Sequence, residues 1–207
     1  MQFSSQLRAA AGLVVCLIGT GAAVLGQTLP EMARELGKEA VNQIGIDAPV
    51  SSIREAVLDS DLVLRGDIAA LRTRLNADES TVETEYGIRP TEAFKDRLPR
   101  AVQTPGTVPT IVFRRRGGRL VTEDGLRVGT TVDIFPEGEC FSAGEDVVVM
   151  LTYLPAEQVY RFSHGAFGAF RIRGGVVTPM TSEVAQRRKD LPIPVAAFLA
   201  DLRRMVR

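Results

Sequence analysis

The apolar rhythm of the chain changes near residue 61. Upstream, residues 28–50 set Met32, Leu36, Ala40 and Ile44 at roughly helical spacing, with Gly37 interrupting the pattern. Residues 51–60, SSIREAVLDS, predict a short helix. Ser52 and Glu55 stand at capping-box spacing, and Ile53, Val57 and Leu58 share a side. From Asp61 the period becomes two. In DLVLRGDIAALRTRL, Leu62, Leu64, Gly66 and Ile68 alternate with Val63, Arg65 and Asp67. Past Ala69 and Ala70 the pattern slips by one residue, to Leu71, Thr73 and Leu75. Such a slip predicts a bulge, which bends a strand. NADES predicts a polar turn. TVETEYGIRPTEAF then returns as a strand, with Val82, Thr84, Tyr86 and Ile88 on one face and Glu83, Glu85 and Arg89 on the other.

Residues 96–109 are rich in Pro and Arg and read as a loop. TIVFRRRGGRL predicts a third strand and a Gly-Gly turn, with Ile111 and Phe113 inward. Turn-rich residues 119–144 have room for one or two short strands. DVVVMLTYL is apolar on both faces, the mark of a central strand. QVYRF and GAFGAFRIRGGVVTPM close the sheet, with Gly174-Gly175 as a two-residue hairpin turn. Gly165 and Gly168 let the sheet bend, or let Phe162, Phe167 and Phe170 cover bare backbone.

IPVAAFLADLRRMVR predicts a terminal amphipathic helix with Pro194 in its first turn. Val195, Phe198, Leu199 and Leu202 form its face, and Arg203, Arg204 and Arg207 suit its C-terminus. Packing over an open end of the barrel or sheet is its expected role. The expected fold is therefore mainly β: a small curled antiparallel sheet or OB-like barrel, with an N-terminal helical segment and a C-terminal amphipathic helix. The expected parts are a leader at 1–26, a helical, polar spacer at 27–50, the barrel-like domain at 51–180, and a linker with the last helix at 181–207.

Composition changes this picture mainly at the N-terminus. Residues 9–26, AAAGLVVCLIGTGAAVLG, carry no charge, follow the basic Arg8 and end in small residues. That order is the layout of a secretory signal, with Val24 and Gly26 at a cleavage site, or cleavage after Ala22 or Ala23. An uncleaved anchor and a lipidated Cys16 are the rival readings. All three place the folded part outside the cytoplasm: periplasmic, cell-envelope or secreted. Without the leader, Cys140 is the sole cysteine, so no internal disulfide forms. Lys+Arg and Asp+Glu are both 25, which gives zero formal net charge and no general attraction to nucleic acid or anionic lipid. Trp is absent and aromatics are 6%, so stacking platforms for bases or sugars are poorly supplied.

Candidate chemistry is sparse. His164 is the only histidine. Its neighbour Ser163 would face the opposite side of a strand, and there is no GxSxG, HExxH or CxxC. It reads as a turn or strand-edge residue rather than a base. Glu83 and Glu85 share a strand face about 7 Å apart, a separation compatible with paired glycosidase carboxylates. Alternating glutamates on a wet strand are the plainer explanation. Asn76, Asp78 and Ser80 echo a calcium loop without its sixth-position Gly or closing Glu. Arg114, Arg115, Arg116 and Arg119 form a candidate anion patch, divided by strand alternation. No cofactor or metal is expected.

The order of SDLVLRGDI, VETEYGIRPTEAFKDRL, TIVFRRRGG, FSAGEDVVVMLTYL and YRFSHGAFGAFRIRGG resembles a group of exported bacterial proteins without assigned activity. The matching positions are Gly66, Thr84 with Tyr86, Lys95, Gly117-Gly118, Gly144-Glu145, and Gly168 with Phe170, over roughly residues 51–178. The chain departs at VMLTYL, where Leu151 or Tyr153 replaces the usual Phe. The resemblance implies a small OB-like or netrin-like barrel and no chemistry. The expected function is a non-catalytic exported module that binds protein or glycan, not nucleic acid. The alternatives are a carboxylate-using hydrolase, and an accessory subunit tethered to the membrane through residues 9–26.

Overall fold

The computed structural model describes residues 27–37, 39–44, 52–97, 110–132, 141–163, 168–180 and 192–206. Among them the chain is mainly β. In order, the elements are α1 Leu29–Leu36, β1 Ala40–Ile44, α2 Ile53–Asp59, β2 Leu62–Leu75, β3 Val82–Asp96, β4 Ile111–Arg116, β5 Gly118–Val121, β6 Arg127–Val132, β7 Asp146–Leu154, β8 Val159–Phe162, β9 Ala169–Arg173, β10 Val176–Pro179, β11 Ile193–Pro194 and α3 Val195–Met205. The leader at 1–26 with Cys16, together with Cys140, His164, Gly165, Phe167, the linker residues 181–191 and Arg207, lies outside the described residues.

An eight-stranded sheet runs β11-β10-β9-β7-β2-β3-β4-β8, and β7 also pairs with β8. The second pairing closes β2, β3, β4, β8 and β7 into a ring, the five-stranded, partly open barrel of the expected OB-like kind. The sheet is mixed rather than antiparallel. Strands β4 and β8 run parallel and meet at one pair, Phe113 with Tyr160. Two antiparallel partners can be joined by a tight hairpin, whereas a parallel pair needs a longer crossover. Here β5, β6 and β7 intervene between β4 and β8.

The long β2–β3 hairpin supplies most of the wall. Its register shifts between Ile68 and Ala70, where the sequence pattern slips, and again at Val63/Leu64 and Arg65/Gly66. Inside the ring, Leu62, Leu64, Ile68, Tyr86, Ile88, Phe113, Phe141, Val147, Val149 and Leu151 are buried together. Tyr86 stacks on Phe113 at 5.2 Å, and Phe141 meets Tyr86 edge-on at 5.8 Å, the geometries that aromatic quadrupoles favour. As its two apolar faces imply, β7 is central: it pairs with β2, β8 and β9.

The other face of β7 is also covered. Val63, Val148, Met150, Phe170 and Val177 pack against Ile53, Ala56 and Val57 of α2 and Phe198, Leu199 and Leu202 of α3. So α3 lies on the outer face of the sheet, not over an open end, because that face is where apolar residues remain to be covered. Pro194 is the residue preceding the helix rather than part of its first turn. The α2 capping box forms as the spacing predicts, between Ser52 and Glu55.

Two local expectations are corrected. The 28–50 helix stops at Gly37, which takes φ 62°. Ala40–Ile44 is instead a strand, parallel to β6, within a three-stranded sheet β1-β6-β5. The partner that makes it a strand lies far along the chain, where helical spacing carries no information. Gly117-Gly118 is not a hairpin turn either. There the chain leaves the eight-stranded sheet at β4 and enters the three-stranded one at β5. Gly118 has φ 137°, and a Cβ on it would lie 2.6 Å from Thr84 Oγ1. By contrast, Gly174-Gly175 is the expected two-residue hairpin turn, with φ 57° and 79°. Among the described residues no helix is long and apolar enough to cross a membrane.

Candidate functional site

The antiparallel registers of β2, β3 and β4 set side chains in rows across the outer wall. One row is Arg72–Glu85–Arg114 and the next is Arg74–Glu83–Arg116. A third, uncharged row is Ala70–Gly87–Val112. Val112 is 46% exposed. Alternation explains the arrangement: Thr84 and Tyr86 turn into the core, so Glu83 and Glu85 turn out, each between arginines on both neighbouring strands.

The β7–β8 turn completes the face. Glu157 accepts from Arg161 at 2.8 Å and lies 3.5 Å from Arg114. Arg161 reaches back to Glu83 at 3.3 Å, and Arg114 holds Glu85 at 2.9 Å and Glu83 at 3.5 Å. Arg74 is 2.9 Å from Glu85. The Glu83 side chain is only 7% exposed. Charge pairs across β3, β4 and β8 thus brace the seam where the ring has a single backbone pair. Arg72 and Arg116 stand exposed at opposite corners.

Each candidate from the sequence can now be placed. Glu83 and Glu85 are together on one face, but both spend their oxygens on arginine, and neither is aimed into a cleft with the other. Arg114 is bound into that cluster, and Arg116 is at its rim. Arg115 points to the opposite side and is buried. Arg119 belongs to the other sheet, 3.9 Å from Glu39. The four arginines therefore do not form one patch. Arg72 and Arg74 join the face instead, a grouping that only cross-strand register reveals.

The NADES turn closes on itself. Asp78 accepts from the Ser80 N–H at 3.0 Å, and Asn76 Oδ1 accepts from the Thr81 N–H at 3.0 Å. The Ser80 hydroxyl first, then the Ser80 N–H, hold the Asp78 carboxyl below its ordinary range. Among the described residues no three metal-binding side chains come together.

Other polar groups outside this face serve the scaffold. Thr152 Oγ1 and Ser163 Oγ are 2.6 Å apart, and Ser163 Oγ is 3.0 Å from Ser60 Oγ. Ser60 in turn donates to the Ala56 carbonyl. This chain of hydroxyls ends on a helix carbonyl, so it ties α2 to the β7–β8 hairpin rather than activating a nucleophile. Lys95 donates to the Val57 and Leu58 carbonyls at 2.6 and 2.7 Å, capping the C-terminus of α2. Burial, then the charge of Arg97, pulls its ammonium below the usual lysine range. Tyr153 and Tyr160, half-buried, pack with centroids 5.2 Å apart. Burial, helped by Asp96 and Asp61, pushes the Tyr160 hydroxyl up.

No protein-family model matches the chain, and no curated protein matches it either. The functional reading therefore rests on the residues themselves.

Proposed function

We propose that this chain is an exported, non-catalytic binding module that docks a protein partner on the open face of β2, β3 and β4. The observation that carries this reading is the contrast between outer walls. One is covered by α2 and α3, while the other, among the described residues, presents ordered arginine–glutamate rows beside the uncharged row Ala70–Gly87–Val112, in which Ala70 and Val112 are exposed. Fixed charges around an accessible aliphatic residue are the composition of a polar protein interface. A protein is favoured over a glycan, because the large exposed apolar residues described are Leu36, Val41, Leu58, Val112 and Val121, none of them aromatic. A hydrolase is disfavoured by the arginines that occupy Glu83 and Glu85.

Export rests on the leader-like residues 1–26. Intact mass of the protein recovered from the cell envelope distinguishes the cleaved form from a tethered accessory subunit that retains residues 9–26. Affinity capture from the envelope fraction tests the binding role. A partner retained by the native chain and lost with Val112→Glu supports it. Capture of nothing beyond what an unrelated exported barrel retains contradicts it.

A further inference from the structure

Counted over the described residues, the open face is not electrically neutral, although the whole chain is. Arg72, Arg74, Arg114, Arg116 and Arg161 meet Glu83, Glu85 and Glu157, which leaves two positive charges in excess. Among the described residues the neighbouring acids do not cancel them. Asp67 and Arg89 oppose each other as a neutral pair beyond the apolar row. Glu79 acts on Arg34 beside α1. Two donors inside the cluster are also unmet: the Nε–H groups of Arg74 and Arg161 are buried, with no acceptor among the described residues. A buried donor without an acceptor costs free energy, but both atoms lie beneath the surface, so the exposed Arg72 and Arg116 are what an incoming carboxylate meets.

We propose that this face recognises an acidic, extended segment of the partner protein, with carboxylates at alternate positions. The inference rests on the reading of the same face as the docking surface and specifies what docks there. Alternate side chains of an extended peptide recur about every 7 Å, as do Arg72 and Arg74 along β2 and Arg114 and Arg116 along β4. A segment lying along the strands can set alternate acids over either arginine column, that of β2 or that of β4, with its intervening side chains turned away from the sheet; Arg72 is the exposed arginine of the first column and Arg116 of the second. Arg72 and Arg116 receive carboxylates first, because both are exposed. Arg114 stays with Glu83 and Glu85 as the frame.

The test uses the purified full chain and four labelled probes followed by fluorescence anisotropy. They are a peptide alternating glutamate with valine, its lysine–valine counterpart, a single-stranded oligonucleotide and a sulfated glycan of matched charge. The acidic peptide is expected to bind and the lysine peptide not to. The double variant Arg72→Gln/Arg116→Gln is expected to weaken binding about tenfold, the sum of two exposed charge contacts. Its melting midpoint should remain at the native value, since both side chains lie on the surface.

Absence of peptide binding overturns the proposal, as does binding that the double variant leaves intact. Tighter binding of the oligonucleotide or the glycan than of the peptide also overturns it, by showing that the face reads bare anionic charge. A partner that still crosslinks at Val112 in the double variant separates the two claims: the docking face survives and its acidic preference fails.

Discussion

Strand β2 passes through two different environments. In its first half the outward Val63 lies under α2 and α3, in a layer with Val148, Met150, Phe170 and Phe198. In its second half the outward residues are Arg72 and Arg74, opposite Glu85 and Glu83, with no helix above them among the described residues. The inward side is apolar in both halves, through Leu62, Leu64 and Ile68 and then Leu71. One wall is thus covered by helices, and the other is cross-linked by charge pairs. The bulge at Ala69 and Ala70 divides them: it shifts which residues face out just where the covering helices end.

The covered wall should be the less forgiving. Phe170 is fully buried, with its ring 5.0 Å from Phe198. Phe170→Ala is expected to cost about 3–5 kcal/mol in chemical denaturation, from lost transfer energy and the cavity left behind. A cost below about 1 kcal/mol would mean that α3 does not pack on the sheet as described. On the open wall, Glu83→Ala removes the buried carboxylate that Arg114 and Arg161 share but leaves both paired with Glu157 and Arg114 with Glu85, and a loss of about 2 kcal/mol is expected. Hydrogen exchange should then quicken in β4 and β8 before it does in β7 and β9. Uniform quickening would show that the charge cluster does not brace the seam.

Gly118→Ala tests the junction between the two sheets. The new Cβ meets Thr84 Oγ1 and the backbone is in a region that L-residues avoid, so a loss of about 1–3 kcal/mol is expected from the melting curve. An unchanged midpoint would remove the reason for a glycine there. The smallest effect concerns acid. Burial alone would raise the Glu145 carboxyl, but the Ser142 N–H, Arg171 and Arg173 together hold it below its ordinary range. A carboxyl lowered in the folded state adds stability above its unfolded pKa, and that stability disappears as pH falls through the folded value. Glu145→Gln should therefore flatten the acid limb of a stability–pH curve and leave its slope near neutrality unchanged. An acid limb as steep as that of the native chain would contradict the assignment.

Much of this architecture was legible in local chemistry. The Ser52–Glu55 cap, the slip in β2, the two apolar faces of β7 and the Gly174-Gly175 turn each depend on residues close in sequence. What escaped depends on residues far apart. Ala40–Ile44 is a strand only because β6 lies beside it. Gly117-Gly118 looks like any turn until the two sheets it joins are known. The candidate site was half visible. Glu83, Glu85 and Arg114–Arg116 stand out in sequence, but their rows with Arg72 and Arg74 are a property of register, and one strand's sequence does not set its partner's offset. Arg115 and Arg119 left the group for the same reason.

The account's central claim is that the open wall meets a partner and the covered wall does not. Val112 and Leu58 offer a matched pair of probes. Val112 is 46% exposed on the open wall, and Leu58 is 44% exposed on α2, which covers the other. A photo-crosslinking side chain placed at each position in turn, in living cells, reports what each wall touches. The account predicts a discrete crosslinked protein from position 112 and none from position 58. A crosslink from 58 with none from 112, or equal yields from both, would contradict it.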